Sequence, residues 1–118
     1  MEMEWILIGA VVAFIVWRMM PAKGVSTITT TDLKGKLNDK GTQFVDVRTP
    51  GEFKGRHISQ FQNIPLDQLP AKLSKLDPKK ETYVICQSGM RSSRAAGILK
   101  KAGFTNVVNV RGGMSQWQ

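Results

Sequence analysis

The chain has 118 residues, a formal net charge of +8 and a single cysteine. This length leaves room for one ordinary domain, and one cysteine excludes a disulfide within the chain. The basic charge favours anionic partners, but the lysines are scattered, and neither an aromatic platform nor a recognition motif accompanies them. We therefore expect no nucleic-acid partner and favour a solvated basic face near an anionic membrane.

The first twenty residues differ from the rest because residues 5–17 contain no polar side chain. A signal peptide would have a basic start and a small-residue cleavage site, and a helix buried in the core of a domain would normally have one polar face. The segment shows neither, so we predict a transmembrane anchor at 1–20, with Trp residues near the interfaces and Pro21 ending the helix. A linker at 21–26 and a globular domain at 27–118 are expected to follow.

The charged residues on the two sides of the predicted anchor indicate how it is oriented in the membrane. Arg18 and Lys23 lie at or after the end of the span, whereas only Glu2 and Glu4 precede it. Positive residues favour the cytoplasmic side of a membrane. The sequence therefore predicts a single-pass protein of the cell membrane whose domain faces the cytoplasm.

Strands and helices alternate along the predicted domain. Strands are expected at 25–28, 43–47, 83–86 and 106–110, with a brief extended segment at 63–66. Helices are expected from Thr30 or Thr31 to Asn38, at 66–76 (with leucines in amphipathic spacing) and at 91–102, whereas 49–62 is predicted as a long loop. This alternation indicates an α/β fold with a mainly parallel sheet, in which ligands bind at the carboxyl ends of strands.

Cys86 lies where a predicted strand passes through a short loop into a helix. Backbone N–H groups and the positive end of the helix dipole would face its sulfur, and Arg91 and Arg94 add positive charge. These effects favour thiolate over thiol, so Cys86 is predicted to be acidic and reactive. A cation at a helix N-terminus is unfavourable alone, so Arg91 implies a bound anion or the thiolate itself. Ser88 and Ser92 are expected either to donate to the sulfur or to cap the helix.

Five motifs occur in order between Ile28 and Trp117. They are Asp46-Val47-Arg48-Thr49-Pro50-Gly51-Glu52-Phe53, His57-Ile58, Asn63-Ile64-Pro65-Leu66, Cys86-Gln87-Ser88-Gly89-Met90-Arg91-Ser92 and Gly112-Gly113-Met114-Ser115-Gln116-Trp117. In this order and spacing they resemble the single-domain rhodanese (thiosulfate:cyanide sulfurtransferase) family. The resemblance implies a rhodanese-like three-layer fold, here preceded by one transmembrane helix.

The resemblance also implies a mechanism in which Cys86 takes sulfane sulfur from a donor such as thiosulfate and forms a persulfide. A thiophilic acceptor then removes that sulfur. The loop is implied to cradle the persulfide with its N–H groups, and Arg91 to orient an anionic donor; its residues are Gln87, Ser88, Gly89, Met90 and Arg91. Asp46 and Arg48 are expected to support the loop first and line the pocket second, with Ser92 as a further support.

The implied partners are a small sulfur-containing anion or persulfide donor and a thiol or protein acceptor that the sequence does not name. No cofactor is expected, and one cysteine with one histidine cannot complete a metal site. His57 is interpreted as bracing a loop, because a pre-ionised thiolate needs no general base. Arg56 and the Gln60-Phe61 pair depart from the small residues usual in the family, which concerns loop shape and partner contacts more than chemistry.

Two other functions are considered. Related phosphatases and arsenate reductases have five residues between cysteine and arginine, whereas four separate Cys86 from Arg91. The tighter loop suits one sulfur atom better than a tetrahedral oxyanion, and no aspartic acid is an obvious proton donor. A non-catalytic docking or sensing module with the same fold is the other alternative, although such a copy would be expected to lose the thiol.

Overall fold

Five strands form one parallel sheet in the order β1-β5-β4-β2-β3. The structure, a computed structural model, describes residues 2–19 and 24–118. The strands are β1 (Val25–Ile28), β2 (Thr42–Asp46), β3 (Gln62–Asn63), β4 (Glu81–Ile85) and β5 (Val107–Val110). The sheet confirms the predicted α/β fold class.

Helices pack on both faces of the sheet, because side chains alternate along each strand. The helices are α1 (Glu2–Met19), α2 (Thr30–Leu33), α3 (Pro50–Gly55), a 3-10 helix (Leu69–Lys75), α4 (Met90–Lys101) and α5 (Gly113–Gln116). Val84 of β4 belongs to a buried cluster that includes α4 and the 3-10 helix. Tyr83 and Ile85 point to the opposite cluster, which includes Leu33 of α2 and Met114 of α5.

The segment predicted as a long loop at 49–62 contains the helix α3. Thr49 caps it by accepting a hydrogen bond from the Glu52 N–H, and the Glu52 carboxylate accepts one from the Thr49 N–H. Pro50 occupies the first helical turn, where its missing N–H costs nothing. This reciprocal capping box is the physical reason that a six-residue helix forms here.

Two predicted helices differ from their sequence patterns: one forms a 3-10 helix instead of an α-helix, and the other ends early. The amphipathic stretch at 66–76 forms the 3-10 helix, since Pro70 cannot donate the backbone bond that an α-helical turn from Leu66 would need. Its leucines are nevertheless buried or packed against the core, as predicted. Helix α2 ends at Leu33 rather than Asn38, with Thr29 as its cap, and i-to-i−3 turns replace its expected second half.

The predicted transmembrane helix is contradicted. In the part of the chain that the structure describes, no helix has the length and apolarity needed to cross a membrane. Helix α1 has 18 residues, about 27 Å at 1.5 Å per residue, and includes Glu2, Glu4 and Arg18 near its ends. A hydrocarbon core is about 30 Å thick, so the helix is shorter than the distance that it would have to cross. The predicted helix stop at Pro21 and the linker residues 21–23 lie outside the described residues.

Candidate functional site

Cys86 lies at the carboxyl end of β4, an interior strand flanked by β5 and β2. Asp46 ends β2 and pairs in register with Ile85, so the segment 46–48 emerges beside the cysteine loop. Gly112 and Gly113 follow β5 on the other side. The parallel topology thus brings all three predicted strand-end segments to one edge, as the sequence indicated.

The Cys86 sulfur is hydrogen-bonded to two of the residues that follow it, Gly89 and Ser92. The Gly89 N–H lies 3.0 Å from Sγ, and the Ser92 hydroxyl oxygen lies 3.3 Å from it. Burial raises the pKa of the Cys86 thiol, but bonds from the Ser92 hydroxyl and from the backbone N–H groups of Ser92, Gly89 and Ser88 outweigh burial and lower that pKa below its usual value. Cys86 is buried, so its sulfur lies at the base of the loop rather than on the surface of the protein.

Helix α5 turns the loop's carbonyl groups away from the sulfur. The Met114 N–H donates to the Cys86 carbonyl at 2.8 Å, and the Ser115 N–H donates to the Gln87 carbonyl at 2.9 Å. This packing leaves no room for a side chain at Gly113, where a Cβ atom would lie 2.2 Å from the Cys86 carbonyl oxygen. The loop then enters α4 through Gly89, whose φ of 104° is left-handed.

The anion bound to Arg91 is a carboxylate of the protein. Its guanidinium donates to both oxygens of Glu52, at 2.7 and 2.9 Å, so α3 and the start of α4 are joined by a bidentate ion pair. Hydrogen bonding from Arg91, opposed by burial and aided by Thr49, lowers the pKa of Glu52 to about 2. The anion that the position of Arg91 implied is therefore already present in the fold.

Asp46 and Arg48 form a buried ion pair that anchors the neighbouring loop. The Arg48 guanidinium donates to Asp46 at 2.9 Å and to the backbone carbonyls of Glu52 and Arg56. It also lies 3.4 Å from the Gln87 side-chain oxygen. Most of its donors are thus used within the loop, in agreement with the structural role expected for the pair.

Three loop side chains face outward. Gln87 and Ser88 are exposed, and Met90 is 77% exposed. A cleft of about 720 Å³ borders this part of the loop; it is lined by Ser88, Gly89, Met90, Arg91, Ser93, Arg94 and Asn109. A partner that reached the cysteine from this side would meet Met90 and two arginines first.

The residues that depart from the family pattern have structural contacts. An Arg56 guanidinium nitrogen donates to the Trp117 carbonyl at 2.5 Å, tying the loop to the C-terminal segment. Phe61 is buried against Phe44, with ring centroids 5.2 Å apart. His57 stacks on Phe53 and bonds to its carbonyl through Nδ1 at 2.8 Å, which fits the loop-bracing interpretation.

Sequence reasoning missed three participants in the site. Glu52 belongs to the Asp46–Phe53 motif, and the Thr-x-x-Glu spacing within that motif signals a capping box and hence a fixed carboxylate. Gly113 belongs to the last motif, where its close approach to the Cys86 loop is not visible in the sequence. Asn109 had no signal in the sequence, because its relation to the loop arises from the parallel pairing of β4 with β5.

Comparison with known proteins agrees with this geometry. A family model described as "Rhodanese-like domain" matches residues 29–118. The chain is 38% identical over 95 residues to YtwF of Bacillus subtilis, named as a candidate sulfurtransferase, covering 80% of this chain and 91% of that protein. It is 36% identical to YrkF of the same organism, named as a candidate sulfur carrier protein, covering 81% of this chain and 52% of YrkF. The chain therefore spans only about half the length of that relative.

A solved structure is similar as well. The rhodanese-like domain protein from Staphylococcus aureus has 37% sequence identity and a TM-score of 0.73, with 79% of this chain and 91% of that chain covered. The chain belongs to the rhodanese-like domain family. Its relatives within that family include proteins named as a candidate sulfurtransferase and a candidate sulfur carrier.

Proposed function

We propose that this protein transfers sulfane sulfur through a persulfide on Cys86. The observation that carries the proposal is the set of donors aimed at Sγ, with the Gly89 N–H at 3.0 Å. These donors favour the thiolate, which is the nucleophilic form of cysteine. They also stabilise negative charge on sulfur at the edge of the sheet where ligands bind.

The proposed reaction has two displacement steps. The Cys86 thiolate attacks the outer sulfur of thiosulfate, forming a sulfur–sulfur bond, and sulfite leaves with the electron pair of the bond that breaks. The product is a Cys86 persulfide anion. An acceptor such as cyanide or a thiolate then attacks the outer sulfur, and the Cys86 thiolate leaves in its original form, so no external oxidant or reductant is consumed.

The donor class follows from the charges around the loop. Arg91 and Arg94 line the two clefts beside it, so an anionic sulfur compound is attracted to this edge. Glu52 holds the Arg91 guanidinium, which disfavours a dianion that needs the same group. Thiosulfate and persulfide donors are both proposed as substrates, and the exposed approach beside Met90 admits a thiol or protein acceptor.

Intact mass after thiosulfate treatment tests the proposal directly. The wild type is expected to gain the mass of one sulfur atom and to form thiocyanate with cyanide, whereas Cys86→Ser should do neither. A reducing thiol should remove the added mass, as expected for a persulfide. Loss of transfer by at least a thousandfold in Cys86→Ser is expected for removal of a nucleophile.

The controls separate the alternatives. Ser59→Ala removes an exposed hydroxyl whose side-chain bond is to Gln60, outside the loop, and it should retain wild-type transfer. Wild-type protein that gains no sulfur from thiosulfate or from a persulfide donor, while folded, would favour the docking module. Hydrolysis of a phosphoester dependent on Cys86 would instead favour the phosphatase.

A further inference from the structure

A hydrogen-bond chain runs from the Cys86 sulfur through Ser92 to Asn109. The Ser92 hydroxyl oxygen lies 3.3 Å from Sγ, 2.5 Å from the Asn109 side-chain oxygen and 3.2 Å from the Gly89 carbonyl oxygen. Ser92 is fully buried, so water does not supply further partners. Three acceptors therefore surround a hydroxyl that has one proton to donate.

The orientation of the Asn109 amide is fixed by a second contact. Its nitrogen lies 3.3 Å from the Gly89 carbonyl oxygen, which can only accept, so the amide nitrogen points there and the amide oxygen points at Ser92. The Ser92 hydroxyl lies closer to the Asn109 oxygen, at 2.5 Å, than to the Gly89 carbonyl oxygen, at 3.2 Å, so it donates to Asn109 when the cysteine is a thiol. The S–H group can in turn donate to the Ser92 oxygen, so hydrogen bonds run from Cys86 through Ser92 to Asn109.

Ionisation of Cys86 changes the direction of the hydrogen bond between Ser92 and the sulfur. A thiolate cannot donate to Ser92, and the lone pairs of the hydroxyl would face a negative sulfur. The Ser92 proton is then needed at Sγ, where it forms a charge-assisted bond, and the Asn109 oxygen loses it. The charged sulfur thus competes with the Asn109 oxygen and the Gly89 carbonyl oxygen for one proton, and the charge of the sulfur decides which of them receives it.

We propose that Asn109 is a positioning residue that holds the Ser92 proton away from Cys86 and so stabilises the thiol against the thiolate. The inference rests on the proposed nucleophilic role of Cys86. Removing the Asn109 oxygen removes the acceptor that Ser92 uses while Cys86 is a thiol. The Ser92 hydroxyl can then donate to the Cys86 thiolate without losing that bond. The ionisation of Cys86 then becomes easier, whereas removing the Ser92 hydroxyl makes it harder.

The charged groups around the loop are not members of this chain of hydrogen bonds. They are the Asp46–Arg48 pair after β2, Glu52 of α3, Arg91 and Arg94 of α4, and Arg111 after β5. Arg91 favours the thiolate through its charge, and Glu52 offsets that charge. Substitution of Asn109 leaves all of these groups unchanged, so its effect on the thiol is separable from theirs.

The test is the pH dependence of alkylation of the sole cysteine by iodoacetamide, followed by intact mass. We expect Asn109→Leu, which has a similar shape, to react at least threefold faster than the wild type at pH 6, with its profile moved to lower pH. Ser92→Ala should react more slowly at that pH, with its profile moved to higher pH. The double variant should match Ser92→Ala, because the effect of Asn109 passes through the Ser92 hydroxyl.

A purely structural role for Asn109 gives a different result. Loss of its bond to Gly89 would loosen the loop. The rate of alkylation would then change by the same factor in the wild type and in Ser92→Ala, at all pH values. That outcome, or a rate in Asn109→Leu equal to or below the wild type at pH 6, would overturn the proposal. Asn109→Ala provides a second variant with the same expected direction if Asn109→Leu does not fold. Alkylation involves no sulfur donor, so a failure of the transferase proposal is recognised separately.

Discussion

Arg91 is bound to the Glu52 carboxylate, and in the proposed reaction it would also bind an anionic sulfur donor. Its bidentate bond to Glu52 is about one-third exposed on each side, so solvent screens it and a donor can displace it. Glu52 is also held by the Thr49 N–H and hydroxyl, which keep its carboxylate beside Arg91. Glu52 thus sets how strongly the site attracts an anionic donor without touching the thiol.

Glu52→Gln should improve the use of thiosulfate. A neutral amide keeps an oxygen for the Thr49 cap but releases the full charge of Arg91, so kcat/KM for thiosulfate is expected to rise about three- to tenfold, mainly through KM, at low salt. Steady-state kinetics at two ionic strengths measures this. The free energy of unfolding should fall by no more than about 1 kcal/mol, as for an exposed ion pair.

Glu81→Gln is the matched control for the charge change. Glu81 lies at the opposite, amino end of β4 and bonds to Asn106, so its neutralisation should leave thiosulfate kinetics unchanged. An unchanged or higher KM in Glu52→Gln would show that Arg91 does not receive the donor. Equal gains in both variants would indicate a general effect of net charge.

At the scale of the elements, the short helix α5 shapes the cysteine loop although it contributes no group that contacts the sulfur in the described bonds. Its first N–H groups hold the Cys86 and Gln87 carbonyls, so the N–H groups of the loop remain available to sulfur. This arrangement requires α5 to approach the loop backbone without an intervening side chain. Gly113 supplies that approach, and its φ of 56° also suits glycine.

Gly113→Ala should therefore damage both stability and transfer. The new Cβ would meet the Cys86 carbonyl oxygen and the Gln87 backbone, neither of which can rotate away. We expect a loss of at least about 1–2 kcal/mol in the free energy of unfolding from the left-handed backbone alone, measured in urea. The alkylation rate of Cys86 at neutral pH should also change, because the loop must shift.

Gly51→Ala controls for the loss of a glycine. Gly51 lies in α3, and a Cβ there has no other atom within 4 Å beyond its chain neighbours, so this variant should be equally or slightly more stable. Wild-type stability and alkylation in Gly113→Ala would contradict the role assigned to α5.

At the scale of the molecule, the buried clusters and the site lie in a different part of the chain from α1. The residues of both clusters lie between Leu33 and Met114. By contrast, every described side chain of α1, from Met3 to Val16, is exposed, including Trp5 at 74%. A contiguous apolar surface of this kind promotes association in water. The predicted cytoplasm-facing orientation requires a helix that spans the membrane.

Deletion of residues 1–23 should leave the rhodanese-like domain intact. Because neither buried cluster loses a residue, Tm is expected to change by no more than about 2–4 °C, and persulfide formation by less than about twofold. Calorimetry and intact mass after thiosulfate treatment measure the two quantities. Size-exclusion chromatography should show less self-association. A fall in Tm of more than about 10 °C would mean that α1 contributes to the fold.

The fold class and the position of the nucleophile were predictable from local patterns. Apolar strands alternating with helical stretches specify a parallel sheet, and Cys86 at a strand end followed by a glycine loop specifies a thiol beneath a helix N-terminus. These features depend on residues close together in the sequence. The capping box at Thr49 and Glu52 was equally local, and the helix α3 could have been predicted from it.

Local sequence patterns were enough to identify the residue that could act as the nucleophile, since the chain has one thiol, and to predict the sheet that presents it. The surroundings of that thiol follow instead from how the elements pack: Glu52 lies against Arg91, α5 against the loop carbonyls, and Asn109 beside Ser92. These pairs are separated by 17 to 39 residues or depend on packing between elements, and hydrogen bonds at such separations follow from strand order and register.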